Sequence, residues 1–279
     1  MIVRAFAGVL IVCAIFTVPS GAQEDPIVFF EGGHFIRGLH ALELPRLLRD
    51  CRLRALIPQA QCAEERFVLE QPRRRIGLSR YGLDRYEVTN AAYLRCVRAG
   101  VCVPPRMRAG DVRVGRGTMP VSGVTADEAA RYCEWVGGRL PSESQWERAA
   151  RGPAGRTYPW GRIYNDRLSN HGRGGEPDPV DGYAFASPVG SFPAGATPEG
   201  VHDLAGNVWE WTADRRSDNS DWQSGLAFDP TGDESGGERI IRGGSWRAGS
   251  ESLRGGMRVG VAEQAHAADL GFRCAYAGR

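Results

Sequence analysis

Six cysteines beyond the N-terminal segment limit the folds that this 279-residue chain can adopt. An even number of cysteines is typical of disulfide bonding in an oxidising compartment. Spacing favours two local bridges, and the two remaining cysteines would then join a central helix to the C-terminal strand. The predicted pairs are Cys51–Cys62, Cys96–Cys102 and Cys133–Cys274. Zinc binding is the competing interpretation, but no CxxC or HxxxH pair supports it.

The first 22 residues predict export across a membrane. Arg4 supplies a positive charge, residues 5–18 form an apolar stretch, and residues 20–22 are small enough for a signal-peptide cleavage site. We expect cleavage after Ala22 and a periplasmic or secreted mature protein. An uncleaved anchor is the alternative, although the apolar stretch is short for a membrane span. No later segment is long and apolar enough to cross a membrane.

Composition predicts one domain over residues 23–279. With 42% hydrophobic residues, the chain can bury a core of its own. The formal net charge is +2 and no basic run is dense, so we expect no nucleic-acid partner. Residues 40–75 contain many arginines and one short helical pattern, which predicts a surface insertion.

Three helices and several short strands predict an α+β fold with little regular secondary structure. One helix is expected over residues 90–98. Two others begin with capping boxes, formed by Thr125 with Glu128 and by Ser142 with Gln145. Short β-type runs such as RIIRGG and GFRCAYA are separated by Gly, Pro, Asn and Asp.

The acidic residues on these helices are predicted to lie on solvated faces, because arginines stand close to them in the sequence. The four residues in question are Glu128, Glu134, Glu143 and Glu147.

Seven motifs occur along the chain in a characteristic order. They are GGHFIRG, YEVTNAAYLRCV, PVSGVTADEAARYCEWVGGRLPSESQWERAARG, YPWG, GVHDLAGNVWEWTAD, RIIRGGSW and DLGFRCA. Over residues 28–276 this order resembles the sulfatase-modifying-factor family, the formylglycine-generating enzymes and their relatives. The resemblance implies a compact fold distantly related to C-type lectins. It also implies a bridge between the cysteines of RYCEW and GFRC, in agreement with the pair Cys133–Cys274.

The best-known members of that family use copper and oxygen to convert a cysteine in a CxPxR motif of sulfatases into formylglycine. A cysteine pair on a C-terminal loop holds the metal, and thiolates suit Cu(I). In this chain the matching loop is GGSWRAGSESLRGG, where Ala248 and Leu253 stand at the cysteine positions. Ser245 matches a family active-site serine. The sequence therefore predicts a pseudoenzyme without a copper site.

The resemblance also implies two structural calcium sites, whose oxygen ligands would come from side chains and main-chain carbonyls. The first set is Asn170, His171, Asp181 and Tyr183, and the second is Asp203, Gly206, Val208 and Glu210. Hydrogen bonding of these side chains to loop backbone is the alternative.

We hypothesise from the sequence that the chain is an exported, non-catalytic module that binds a peptide or small ligand. The candidate ligand-binding residues on or beside the glycine-rich loop are Arg242, Ser245, Trp246, Arg247 and Arg254. Solvated surface arginines are the alternative for the three charged residues. Two other functions stay open, an oxidoreductase that uses a different metal site and, third, a genuine formylglycine-generating oxidase.

Overall fold

The computed structural model describes residues 26–55, 57–107, 111, 113–216, 227–232 and 237–278. The predicted signal peptide lies outside these residues. Within them, no helix is long and apolar enough to span a membrane.

Short strands form three small sheets. The strands are β1 (Ile27–Phe30), β2 (Gly33–Arg37), β3 (Arg74–Leu78), β4 (Tyr81–Asp84), β5 (Trp209–Arg215), β6 (Ala227–Phe228), β7 (Glu238–Arg242), β8 (Arg258–Ala262), β9 (Leu270–Gly271) and β10 (Ala275–Ala277). The first sheet has the order β1-β4-β10 and is antiparallel. In the second, β3 pairs antiparallel with β2 and parallel with β6. The third has the order β8-β7-β5-β9, with only the β5–β9 pair parallel.

Helices lie between the strands, mainly in the first half of the chain. They are α1 (Leu44–Arg52), α2 (Pro58–Gln61), α3 (Glu64–Val68), α4 (Asn90–Arg98), α5 (Ala126–Trp135) and α6 (Glu143–Arg151). Long stretches of turns and loops connect α4 to α5 and α6 to β5. The α+β prediction is confirmed.

Capping explains where the central helices begin. The Thr125 hydroxyl accepts the Glu128 amide and the Glu128 carboxylate accepts the Thr125 amide, which satisfies two otherwise unpaired donors. Ser142 and Gln145 form the same arrangement at the start of α6. Both capping boxes are confirmed.

All three predicted disulfides are present. Within the insertion, Cys51–Cys62 joins α1 to the residue after α2. Cys96–Cys102 joins α4 to the turn that follows it, and Cys133–Cys274 joins α5 to the C-terminal segment. The third bridge lies in the largest apolar cluster, where Trp211 and Phe272 are fully buried. It therefore connects elements that are distant in the sequence within the core itself.

The insertion contains more ordered structure than the sequence analysis predicts. Instead of one short helix, α1, α2 and α3 pack around their own apolar cluster, which includes Leu47, Leu48 and Phe67. The cluster also contains the bridged Cys51 and Cys62. The insertion is more ordered than predicted because its apolar side chains recur at helical spacing. They become buried once the Cys51–Cys62 disulfide holds the helices together.

The prediction that Glu143 and Glu147 face solvent is wrong. Both residues are buried, with exposed fractions of 1% and 2%. The Glu143 carboxylate accepts hydrogen bonds from Arg37 at 2.5 Å and from Arg258 at 2.7 Å. Their burial is possible because these guanidinium groups, which come from β2 and β8, supply the compensating charge.

Arg242, at the end of β7, connects this charge network to the glycine-rich loop. It pairs with Glu147 and donates to the main-chain carbonyls of Gly255, Gly256 and Met257. Arg242 directly precedes the loop, and these carbonyls lie at or just after its C-terminal end, so one guanidinium group fixes both ends of residues 243–256.

The arginines of this network lower the pKa of both buried glutamates. Burial alone would raise the pKa of Glu143, but nearby guanidinium groups, led by Arg258 and Arg37, outweigh burial and lower it to about 2. For Glu147, Arg242 and the other arginines likewise outweigh burial and lower the pKa. Both carboxylates are therefore ionised at neutral pH.

Replacing Glu147→Gln should destabilise the protein by about 3 kcal/mol, because it removes the nearest counter-charge of the buried Arg151 and Arg242. Denaturation by urea would measure the loss. Glu31→Gln is the matched control, since that side chain is 81% exposed, and we expect it to change stability by less than about 0.5 kcal/mol. Equal stability of the two variants would contradict this account of the network.

Candidate functional site

A cavity of about 480 Å³ lies beside the glycine-rich loop, where three segments of the chain meet. One wall comes from the insertion, another from residues 164–174, and the third from residues 249–251. The lining side chains that bear most on its chemistry are Arg54, Gln61, Tyr164, His171, Arg173 and Glu251.

Two of these walls are joined through their backbones. The Gly172 amide donates to the Ala248 carbonyl at 2.9 Å. A Cβ atom at Gly172 would lie 2.7 Å from the Arg247 Cα atom, so the close approach requires glycine. The glycine-rich loop is therefore held against the neighbouring segment, with residues 249–251 at the cavity.

The insertion is fixed to the same loop by charged groups. Arg254 pairs with Glu70, and its Cζ atom lies 3.9 Å from the centre of the Phe67 ring. Arg66 donates to the Ser252 hydroxyl at 3.1 Å. These contacts position the wall that carries Arg54 and Gln61.

A chain of hydrogen bonds through His171 joins the Tyr164 hydroxyl to the Ser169 carbonyl at the cavity wall. The Tyr164 hydroxyl lies 3.0 Å from His171 Nε2, and His171 Nδ1 lies 3.1 Å from the Ser169 carbonyl. Because a carbonyl can only accept, Nδ1 carries the proton and Nε2 accepts from the Tyr164 hydroxyl in the neutral ring. Burial raises the pKa of Tyr164, so its hydroxyl stays protonated and fixes the ring.

Two polar groups in the cavity wall have no hydrogen-bond partner among the described residues. Gln61 and Glu251 are each only 7% exposed. The Gln61 Nε2 donor and the Glu251 Oε2 acceptor are buried without a hydrogen bond. Unpaired buried polar groups are costly in free energy, so this pair marks the cavity as a place for a polar ligand.

The positions that match the family's cysteines contribute no reactive group. Leu253 is fully buried and packs with Tyr158 and Ala205, and Ala248 is 8% exposed. Ser245 is also buried, and its hydroxyl donates to Asp269 at 2.8 Å.

The structure corrects the predicted set of ligand-binding residues. Arg242 and Arg254 are neither exposed to a ligand nor solvated, because each is buried in an ion pair with Glu147 or Glu70. Trp246 is likewise buried and packs edge-on against Phe185. Together with Ser245, these residues hold the loop rather than line the cavity.

Arg247 alone among the predicted ligand-binding residues is exposed. It donates to the Gly175 carbonyl at 3.1 Å. It therefore lies at the surface beside the cavity, and residues 249–251 form the cavity wall in its place.

The first predicted calcium set comes together in the structure. The Asp181 carboxylate accepts the main-chain amides of His171 and Tyr183. The Asn170 side-chain nitrogen donates to the Phe185 carbonyl, whereas its oxygen Oδ1 is buried with no partner. This buried oxygen, one residue before the His171 amide that Asp181 accepts, is a ligand of the kind that calcium prefers.

The second predicted set does not fit a calcium ion in the same way. Both Glu210 carboxylate oxygens accept hydrogen bonds from Arg273, at 2.7 and 2.8 Å, and Trp146 donates to one of them at 2.8 Å. The guanidinium group thus supplies the positive charge that calcium would bring. Burial raises the pKa of Asp203 to about 6, which reduces its negative charge in mildly acidic solution.

The remaining members of this second set, Gly206 and Val208, lie in the tight turn that precedes β5. A Cβ atom at Gly206, where φ is +94°, would collide with the Asn170 carbonyl. The turn therefore packs directly against the first set. Within the described ranges, no group of three His, Cys, Asp or Glu side chains is arranged to hold a metal ion.

A family model described as the sulfatase-modifying factor enzyme 1-like domain matches residues 16–277. The chain belongs to this family.

Similar family members differ in their named activities. The mouse protein named inactive C-alpha-formylglycine-generating enzyme 2 is 38% identical over 166 residues, which cover 56% of this chain and 49% of that protein. Hercynine oxygenase from Mycolicibacterium smegmatis is 29% identical over 274 residues, 83% of this chain and 56% of that protein. The chain spans about half the length of the curated relatives that it matches.

The solved structure of PvdO from Pseudomonas aeruginosa has a similar fold. Its TM-score is 0.67 at 26% sequence identity, and the match covers 89% of this chain and 93% of PvdO. The architecture described above is therefore that of the sulfatase-modifying-factor family.

Sequence analysis did not identify Arg54, Gln61, Tyr164 or Glu251 as cavity residues. One signal was available, because Glu251 is the only acidic residue in GGSWRAGSESLRGG. The contribution of the insertion could not be read from the sequence, since it depends on how Arg254 docks the insertion onto the loop.

Replacing Leu253→Ala should destabilise the protein by about 3 kcal/mol, because it empties a fully buried site. Leu42→Ala is the control, since Leu42 is 83% exposed, and its effect should be within about 0.5 kcal/mol. Chemical denaturation of both variants would test whether residue 253 acts in packing. A negligible loss for Leu253→Ala would contradict that role.

Proposed function

We propose that this chain is an exported, non-catalytic member of the sulfatase-modifying-factor family that binds a peptide or small molecule in the cavity. The observation that carries the proposal is the replacement of the family's cysteine pair by Ala248 and Leu253, next to a cavity with unpaired polar groups. An alanine and a leucine cannot hold copper or bind a substrate thiol.

The size and lining of the cavity support a binding role. Its volume of about 480 Å³ lies within the range of roughly 300–1,000 Å³ that is usual for small-molecule sites. The walls combine the Tyr164 ring with a few polar groups, a composition that gives both affinity and orientation. The relative named as an inactive enzyme gives independent support for family members without the activity.

The disulfides support the export part of the proposal. Three bridges within one chain are typical of an oxidising compartment such as the periplasm or the extracellular space. The positively charged and apolar N-terminal sequence is consistent with the same route.

The proposal includes one structural calcium ion, bound by the first set of residues. Asn170 would contribute its side-chain oxygen, Asp181 its carboxylate, and His171 and Tyr183 their main-chain carbonyls. A calcium ion there would join the segment that carries His171 to the turn after Asp181 and would stabilise the cavity wall.

Thermal unfolding with a chelator and with excess calcium tests this site. We expect calcium to raise the melting temperature of the wild-type chain, since it binds only the folded state. Asn170→Ala should lose this calcium-dependent difference, whereas the exposed control Asn165→Ala should keep it. Calorimetric titration should give one ion per chain. Equal melting with and without chelator, or two ions per chain, would contradict the assignment.

Formylglycine formation provides the test of the non-catalytic role. With copper and oxygen supplied, a peptide that contains CxPxR should stay unconverted, as followed by mass spectrometry. Formation of formylglycine by the wild-type chain would overturn the proposal. The double variant Ala248→Cys with Leu253→Cys should bind Cu(I), because it restores two thiols at the family's positions. Cu(I) binding by the wild-type chain at the same affinity would also contradict the account.

A metal-dependent oxidoreductase is the second candidate function. The similarity to a protein named hercynine oxygenase, over 83% of this chain, favours it. This function requires a redox-active metal at a place other than residues 248 and 253.

A further inference from the structure

We propose that the cavity binds a guanidinium or primary ammonium group through the carboxylate of Glu251. This inference rests on the proposed binding function and names the chemistry of its ligand. It starts from the buried Glu251 carboxylate, in which one oxygen accepts a hydrogen bond and the other has no partner among the described residues.

The position of the Glu251 side chain is fixed by its neighbours. Its Oε1 atom accepts a hydrogen bond from the Ser252 hydroxyl at 3.2 Å, and its main-chain carbonyl accepts from Arg254. A Cβ atom at Gly249 would collide with the carboxylate, so the absence of a side chain there makes room for it. Glu251 is thus held at the cavity wall by the glycine-rich loop itself.

The Glu251 Oε2 atom nevertheless is buried and has no hydrogen-bond partner within the part of the chain that the structure describes. An ionised carboxylate in such a place requires a positive charge or a strong donor. The Glu251 side chain lines an open cavity, so a ligand in the cavity can supply that charge once the carboxylate turns from the Gly249 backbone toward it.

Three arginines around the cavity have partners of their own. Arg254 pairs with Glu70, and Arg66 donates to Ser252. On the opposite wall, Arg173 pairs with Asp178 at 3.1 Å. None of these three contacts compensates the free oxygen of Glu251, so the missing cation is expected to come with the ligand.

Arg54, which also lines the cavity, is engaged with an aromatic ring. The Arg54 guanidinium carbon lies 5.0 Å from the centre of the Tyr164 ring. This distance is within the range of a cation–π interaction. The Arg54 guanidinium is therefore engaged with the ring face, which leaves the carboxylate of Glu251 as the group that binds the ligand cation.

Gln61 adds a second requirement for the ligand. Its Nε2 donor is buried without a partner, so a hydrogen-bond acceptor such as a carbonyl would satisfy it. A cation together with a carbonyl describes an arginine or lysine residue. Such a residue can come from a peptide or from a free amino acid, and both sources share the chemistry that Glu251 recognises.

Calorimetric titration with matched compounds tests the inference. The probes are N-acetyl-L-arginine amide and its neutral analogue N-acetyl-L-citrulline amide, which have nearly the same shape. We expect the arginine compound to bind the wild-type chain about tenfold or more tightly than the citrulline compound, the difference typical of a hydrogen bond to a charged group. Free L-arginine and L-lysine in parallel distinguish an amino-acid ligand from a peptide side chain.

The variant Glu251→Gln should reduce affinity for the arginine compound about tenfold, with Glu31→Gln as the unaffected control. The comparison of arginine with citrulline in the wild-type chain remains decisive if Glu251→Gln fails to fold. Equal binding of the two compounds, or unchanged binding by folded Glu251→Gln, would overturn the inference.

A negatively charged probe separates failure of the inference from failure of the binding function. N-acetyl-L-aspartate amide presents a carboxylate on the same backbone. If it binds and the arginine compound does not, the cavity is a ligand site of the opposite charge, and only the inference fails. If none of the compounds binds at millimolar concentration, both the inference and the binding role of the cavity are contradicted.

Discussion

The ion pair between Glu147 and Arg242 is the interaction on which the rest of the site depends. Glu147 lies on α6, and Arg242 ends β7 immediately before the glycine-rich loop. The same guanidinium group donates to three main-chain carbonyls at the C-terminal end of the loop, those of Gly255, Gly256 and Met257. The loop therefore keeps a defined path without a cysteine pair, because its ends are fixed by a buried charge network outside it.

This arrangement explains how the family's architecture can persist without its chemistry. The loop backbone is held by Arg242 at its ends and by contact with Gly172 in its middle. The loop path therefore does not depend on cysteines at positions 248 and 253, and Leu253 fills an apolar site while Glu251 lines the cavity. The insertion, docked by Arg254, completes a wall that the loop alone could not form.

Local signals made much of the fold predictable from sequence. The starts of α5 and α6 follow from their N-cap residues Thr125 and Ser142, each with a capping partner three positions later. The disulfides agree with the spacing of the cysteines. Burial of Glu143 and Glu147 was not predictable in this way, because their partners come from other elements. The cavity was missed for the same reason, since Gln61 and Glu251 are 190 positions apart and meet only through tertiary packing.

The most direct test of the central claim, a retained scaffold without redox chemistry, is elemental analysis of the mature protein purified without added metals. We expect calcium near one ion per chain and only trace copper and iron. Stoichiometric copper or iron would contradict the claim, because it would show that a redox centre exists at residues other than Ala248 and Leu253, and the oxidoreductase function would then be favoured.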